Sequence, residues 1–285
     1  MQVSAARRLA AASSSPDDAR APLVIAHRGA TQWAPENSLV AFEAAIAAGA
    51  DMVELDVRVT ADAQLVVHHD STARGLPVSL LTFDELRQRR EMVTTLADAL
   101  ALCRGRINVD VEIKRVGLEE PVVALIERVL DPEQVVVTSF QDAVVAEVKR
   151  LRPHLVCGLL MAPGRFRTRV RRFHENPFAW LDRCNADFVV PHQLMLPMGR
   201  VARAAGRPGL LSRLAARGTP VVVWTVNRPD RLLAYLGDSR VQGVITDVPE
   251  LATVQRARAA QDRSASVTRR IGHPFPSRVR SDSAL

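Results

Sequence analysis

The sequence predicts a closed (β/α)8 barrel, a TIM barrel, and three observations carry the prediction. Short β-branched runs alternate with Ala-, Leu- and Arg-rich stretches of helical period, the pattern of repeated βα units around a parallel sheet. Eight such runs fall within about 230 residues, the strand number a closed barrel needs. The first run is followed by His27, Arg28, Gly29 and Ala30, not by the glycine-rich phosphate turn that an open doubly wound sheet would carry there.

The elements are read in order. Strands are expected at Leu23 to His27, Met52 to Asp56, Asn108 to Ile113, Gln134 to Ser139, Val156 to Leu160, Phe188 to Pro191, Pro220 to Thr225 and Gly243 to Thr246. Helices are expected at Leu39 to Ala48, Leu118 to Leu130, Asp142 to Leu151, Pro208 to Arg217 and Pro229 to Leu236. A short extra strand, Leu65 to His68, and a connection through Leu80 to Leu102 break the rhythm after the second strand. Residues 1–20 and 256–285 are Ser-, Arg- and Pro-rich without apolar periodicity, so both ends are expected to be disordered around a single domain spanning 21–255.

Composition removes several function classes. With 285 residues, 47% hydrophobic and 24% charged, the chain has length and apolar content for one large core. Every apolar stretch is interrupted well before the ~20 residues of a membrane span, and the apolar patch Leu9 to Ala12 is shorter than the ~7 residues of a minimal secretory h-region. The expectation is a cytoplasmic protein. Cys103, Cys157 and Cys184 are too few and too scattered for a disulfide framework or a zinc site, and are expected to be reduced and buried. The net charge of +7 invites a nucleic-acid reading, but seven arginines against two aspartates lie from Arg256 onward and the barrel region is nearly neutral. No nucleic-acid partner is expected. Arg165, Arg167, Arg169, Arg171 and Arg172 form a basic cluster after the fifth strand, by default a solvated helix face, with a peripheral contact to an anionic membrane surface as its second reading.

In such a barrel the C-terminal strand ends converge on one mouth, so polar groups closing an apolar run there are the ones to weigh. The first strand ends in His27, Arg28 and Gly29, with Glu36 and Asn37 following. Glu54 and Asp56 lie two apart on the second strand and Glu112 and Lys114 two apart on the third, so each pair shares one face. The extra strand ends in His68, His69 and Asp70, and the seventh in Trp224, Thr225, Val226 and Asn227. Glu54, Asp56 and Glu112 offer the hard oxygens that one Mg²⁺ or Ca²⁺ prefers. His27 and His69 could act as an acid and base pair. Arg28 and Lys114 supply positive charge for an anion, and Trp224 a wall beside it. Together these groups describe phosphoryl-ester chemistry rather than hydride or acyl transfer. His68 reads as a structural or rim residue, because its neighbour His69 is the one placed before Asp70.

HRGATQWAPENSLVAFEAAIAAGADMVELDVRVTADAQLVVHHD, from His27 to Asp70, resembles the glycerophosphodiester phosphodiesterase family in its HRG, PEN[TS], E-x-D-V, T-x-D and HD motifs. VEIK at Val111 to Lys114, SF at Ser139 and Phe140, WTVN at Trp224 to Asn227 and GVITDVP at Gly243 to Pro249 follow in the family's order. The resemblance implies a TIM-barrel hydrolase that splits a glycerophosphodiester into sn-glycerol 3-phosphate and an alcohol. It implies that Glu54, Asp56 and Glu112 bind the metal, that His27 and His69 are the acid and base, and that Arg28 and Lys114 hold the phosphate. The chain departs from the family after Asp70, where Ser71 to Leu81 is short and only Arg74 matches the usual stretch, which bears on alcohol-side specificity. Two other functions stand beside this one: phospholipase D-type cleavage of lysophospholipids, and a catalytically silent barrel serving as a binding module.

Overall fold

The computed structural model describes residues 4–10, 21–163, 176–196 and 208–271, with side chains described as far as 263. Eight parallel strands form the barrel: β1 Leu23–His27, β2 Met52–Val59, β3 Asn108–Ile113, β4 Val135–Ser139, β5 Val156–Met161, β6 Phe188–Pro191, β7 Val222–Val223 and β8 Gly243–Thr246. Neighbours run in chain order from β1 to β6, and β8 pairs with both β1 and β7. The ring closes between β6 and β7 through parallel bridges at Val189–Val221 and His192–Trp224. β7 is shorter than the expected Pro220 to Thr225, and those bridges continue its path on either side.

Period-2 alternation sorts each strand's side chains between two cores. Val24, Ala26, Val53, Leu55, Val109, Val111, Val135 and Val137 face the helices and form the larger apolar cluster. Leu23, Ile25, Met52, Val136, Val156, Leu160, Phe188, Val190, Val222 and Ile245 fill the barrel interior. Gly158 is required there. A Cβ at 158 would lie 2.4 Å from Cζ of Phe188, so only glycine lets that ring occupy the barrel axis.

The expected helices are present within a residue or two of their bounds, as Leu39–Ala47, Glu119–Val129, Asp142–Leu151, Leu210–Ala216 and Pro229–Gly237. Ser38 caps the first of them by accepting from the Ala41 N–H. The interruption after β2 is built as Leu65–Val67 running antiparallel to β2, a hairpin of Thr72–Ala73 and Leu76–Pro77, and helix Phe83–Arg89, which begins in a capping box between Thr82 and Glu85. Val66, Ala73, Val78, Leu81 and Leu86 give this segment a small core of its own.

Within the two ends, residues 5–10 and 256–271 are helical where disorder is expected. Ala5–Ala10 is a helix, and Ala5, Ala6 and Leu9 pack into the interior cluster at the end opposite the C-terminal strand ends. Six residues are too few to show a period, and their order comes from docking. Residues 256–271 belong to a helix, Pro249–Ile271. Ala252 and Ala259, seven apart and so on one face, are buried, while Arg256 pairs with Asp51 and Arg263 donates to the Leu236 carbonyl at 2.9 Å. Two alanines make a faint apolar stripe, which the arginines mask. The helix thus keeps contact with the barrel as far as residue 263. The basic cluster from Arg165 to Arg172 lies outside the described residues.

Candidate active site

The register of the first three strands builds the site. His27 stands beside Glu54, and Asp56 beside Glu112, so four inward-facing polar groups meet at the C-terminal ends of β1 to β3. The chain then leaves β1 through two left-handed residues, Arg28 (φ 58°) and Gly29 (φ 89°). This turn aims the Arg28 N–H at Glu54 Oε2, 3.0 Å away.

A cavity of about 180 Å³ opens there, lined on its polar side by His27, Arg28, Glu54, His69, Glu112 and Lys114. Phe140, Leu160, Trp224 and Ile245 form its apolar side. Asp56 lies just beneath, 1% exposed, and ties the polar floor together. Its Oδ1 is 2.7 Å from Lys114 Nζ, and its Oδ2 is 3.2 Å from Arg28 Nε and accepts from Asn37 Nδ2 at 2.8 Å. Lys114 Nζ also reaches Glu112 Oε1 at 2.8 Å. The structure thus brings the sequence-predicted site residues to one place, with Asp56 as their support.

The electrostatics of this floor are unbalanced. Burial, together with repulsion from Asp56 and Glu112, pushes the Glu54 carboxyl well above the usual range. Burial pushes Glu112 up to about 7 against the attraction of Lys114. Asp56 goes the other way, because Lys114 and Arg28 outweigh its burial and hold it well below the ordinary carboxylate range. Deeper in the barrel, burial pushes Asp110 up to about 8 although Thr138 donates to it at 2.7 Å. Four buried carboxyls meet two cations there, Lys114 and Arg28, so they cannot all ionise without further positive charge. Oxygens of Glu54, Asp56 and Glu112 lie within 4.8 Å of one another, so three hard donors converge where positive charge is lacking, and the set fits a divalent cation.

Each histidine is held by a carboxylate. His27 Nδ1 is 2.7 Å from Asp247 Oδ1, and His69 Nδ1 is 2.8 Å from Asp70 Oδ1. Among the described residues this leaves Nε2 of each ring as the free nitrogen. Arg58 donates from Nε and Nη2 to the His69 carbonyl at 2.9 and 2.5 Å, fixing the backbone that carries the imidazole. Burial and the nearby Lys114 ammonium lower the His69 pKa. Trp224 donates from Nε1 to the Met161 carbonyl at 3.1 Å and packs edge-on to Phe140 and His192. His192 thus supports the wall from behind. His68 is buried.

Asp247, Asn227, Arg58 and Phe140 belong to this constellation although the sequence reading gives them no role. Asp247 had a signal, since it ends the apolar run of β8 as His27 ends that of β1. Asn227 orients it, donating from Nδ2 to Asp247 Oδ2 at 2.5 Å and accepting the Asp247 N–H at 2.9 Å.

Known proteins share this architecture. The chain is 29% identical over 255 residues to a glycerophosphodiester phosphodiesterase of Caldanaerobacter subterraneus, covering 80% of this chain and 95% of that one. It is 32% identical over 245 residues to probable glycerophosphodiester phosphodiesterase 2 of Mycobacterium tuberculosis, covering 80% and 88%. Among solved structures, a putative glycerophosphoryl diester phosphodiesterase from Silicibacter pomeroyi superposes with a TM-score of 0.72 at 23% identity, covering 89% of this chain and 98% of that one. An Oleispira antarctica phosphodiesterase, solved with its product sn-glycerol 3-phosphate, superposes with a TM-score of 0.65 at 24% identity, covering 85% and 97%. These two show the same fold. Residues 27–251 match the glycerophosphoryl diester phosphodiesterase family, a span that begins at His27 and takes in every site residue described above, and the chain belongs to that family.

Proposed function

We propose that this protein hydrolyses glycerophosphodiesters to sn-glycerol 3-phosphate and an alcohol, with His27 and His69 as the acid and base pair. The observation that carries this reading is the pairing of two carboxylate-anchored histidines with a buried Glu54, Asp56 and Glu112 cluster in one cavity. A divalent cation, Mg²⁺ or Ca²⁺, held by those three carboxylates would draw negative charge from a phosphate oxygen. Arg28 and Lys114 bind the phosphate, and Trp224, fixed by its bond to Met161, backs the organic group. One histidine takes the proton from a glycerol hydroxyl as its oxygen bonds to phosphorus. The other gives its proton to the departing alcohol oxygen as that P–O bond breaks. Water then opens the resulting cyclic glycerol phosphate, with the proton roles reversed.

One feature favours a second reading, lysophospholipids. Trp33, in the turn after β1, and Leu80 and Leu194, in short 3-10 turns after β2 and β6, are 69%, 71% and 76% exposed, apolar surface in connections that leave C-terminal strand ends, on which an acyl chain could rest. Among the described residues no helix is long and apolar enough to cross a membrane, and the three cysteines are free and buried. The free, buried thiols support a reducing compartment, the cytoplasm.

The test is release of sn-glycerol 3-phosphate from glycerophosphocholine and glycerophosphoethanolamine with Mg²⁺, Ca²⁺ or EDTA, beside Glu54→Ala. Metal-dependent release that vanishes in the variant is expected. No release with any metal, but choline release from lysophosphatidylcholine, would select the second reading; silence on both would leave a binding module.

A further inference from the structure

We infer that Arg90 is a positioning residue for phosphate binding: through Glu36 it keeps the positive charge of Arg28 available to the substrate, an assignment that rests on the phosphodiesterase reading above. Arg90 follows helix Phe83–Arg89 in the segment inserted between β2 and β3, far in sequence from the first barrel loop. Its Nη2 donates to Glu36 Oε1 at 3.0 Å, while Arg28 Nη1 donates to the other oxygen, Oε2, at 2.6 Å. One carboxylate is therefore shared between two guanidinium groups. On the far side of Arg28 the arrangement recurs, since Asp56 faces Arg28 Nε at 3.2 Å and Lys114 Nζ at 2.7 Å.

The charge arithmetic gives this sharing a purpose. The Arg28 guanidinium touches two carboxylates, and a guanidinium fully engaged by two anions has little net attraction left for a third, the phosphate. Each of its carboxylates has a second cation, Lys114 for Asp56 and Arg90 for Glu36, so neither neutralises Arg28 alone. Lys114 lines the cavity, but Arg90 does not. Arg90 acts at one remove, through Glu36. Among the described residues the Arg90–Glu36 contact is also the ion pair that ties residues 60–95 to the loop after β1. The inserted segment thereby contributes to the anion site without reaching into it.

The pair is partly exposed, with side chains 41% and 29% accessible, so the effect should be moderate and sensitive to salt. With saturating divalent metal and glycerophosphoethanolamine, Arg90→Met should raise KM about five-fold with kcat within about two-fold of wild type. Arg90→Lys, which keeps the charge, should recover most of the loss. The KM difference should shrink in about 0.5 M salt and be absent in a Glu36→Gln background, where no carboxylate remains to be shared. Binding of sn-glycerol 3-phosphate by calorimetry should weaken in parallel.

Unchanged KM and product binding in Arg90→Met would overturn the assignment. So would a fall in kcat alone accompanied by a lower melting temperature, the mark of a structural residue. If the wild-type protein turns over no diester, the phosphodiesterase reading fails on its own. Calorimetry then decides the assignment: product binding weakened by Arg90→Met sustains it, whereas equal binding, or none to either protein, ends it.

Discussion

Replacing Asp247 by asparagine would reverse a hydrogen bond that the structure fixes in direction. Asn227 accepts from the Asp247 N–H at 2.9 Å and from Thr246 Oγ1 at 3.2 Å through the same oxygen. Its Nδ2 is thereby forced toward position 247 as a donor. A new amide there must turn its carbonyl to Asn227 and its NH₂ to His27. The Nδ1 of His27 would then have to accept, placing the proton on Nε2, and an imidazolium, donating from both nitrogens, would meet a second donor. A base would lose its free lone pair, and an acid would lose support for its charged form, so both assignments of His27 predict damage. Reversal of such a pair in a deeply buried triad costs about 10⁴-fold in kcat. Asp247 is 36% exposed and water can take part of its place, so a loss of about 10²- to 10³-fold is expected, or about 3–4 kcal/mol in the barrier. The assay is kcat for sn-glycerol 3-phosphate release, with the melting temperature as a check on folding. A folded variant within about three-fold of wild type would refute the reasoning that Asp247 sets the tautomer of His27.

Two further outcomes follow from the geometry. Gly158→Ala forces a Cβ to 2.4 Å from the Phe188 ring and should cost about 1–3 kcal/mol in urea unfolding. Phe188→Leu should relieve that cost, and strict additivity of the two changes would contradict the contact. Metal affinity should rise with pH: a Glu112 carboxyl pushed up to about 7 is protonated below that pH, where a cation must displace the proton, so affinity should gain about five-fold from pH 6 to 7, about two-fold more by pH 8, and level off above. Calorimetric titration with Mg²⁺ tests this, and a flat profile across that range would contradict it.

Much of the site was legible because barrel topology turns strand ends into neighbours. Glu54 with Asp56 and Glu112 with Lys114 declare themselves by period-2 spacing, and His69 by the Asp70 beside it. What was not legible depends on closure. Asp247 meets His27 only because β8 pairs with β1, 220 residues apart in sequence. Arg90 meets Glu36 only because the inserted segment folds back over the first loop. The helix Ala5–Ala10 is invisible for a different reason: its apolar face answers an opening in the barrel, not a pattern within six residues.

That small helix also bears on the order in which the molecule assembles. The Ala5 N–H is 3.5 Å from Asn108 Oδ1, and Ser4 Oγ donates to the Glu133 carbonyl at 2.8 Å. Ser4 and Ala5 thus find their partners more than a hundred residues later. Too short to persist alone, the helix must wait for β3 and β4 before it can settle, and the loop it closes carries a large entropic cost. Its amides should exchange with solvent sooner than those of the strands it covers, marking it as the last piece to dock and the first to lift away.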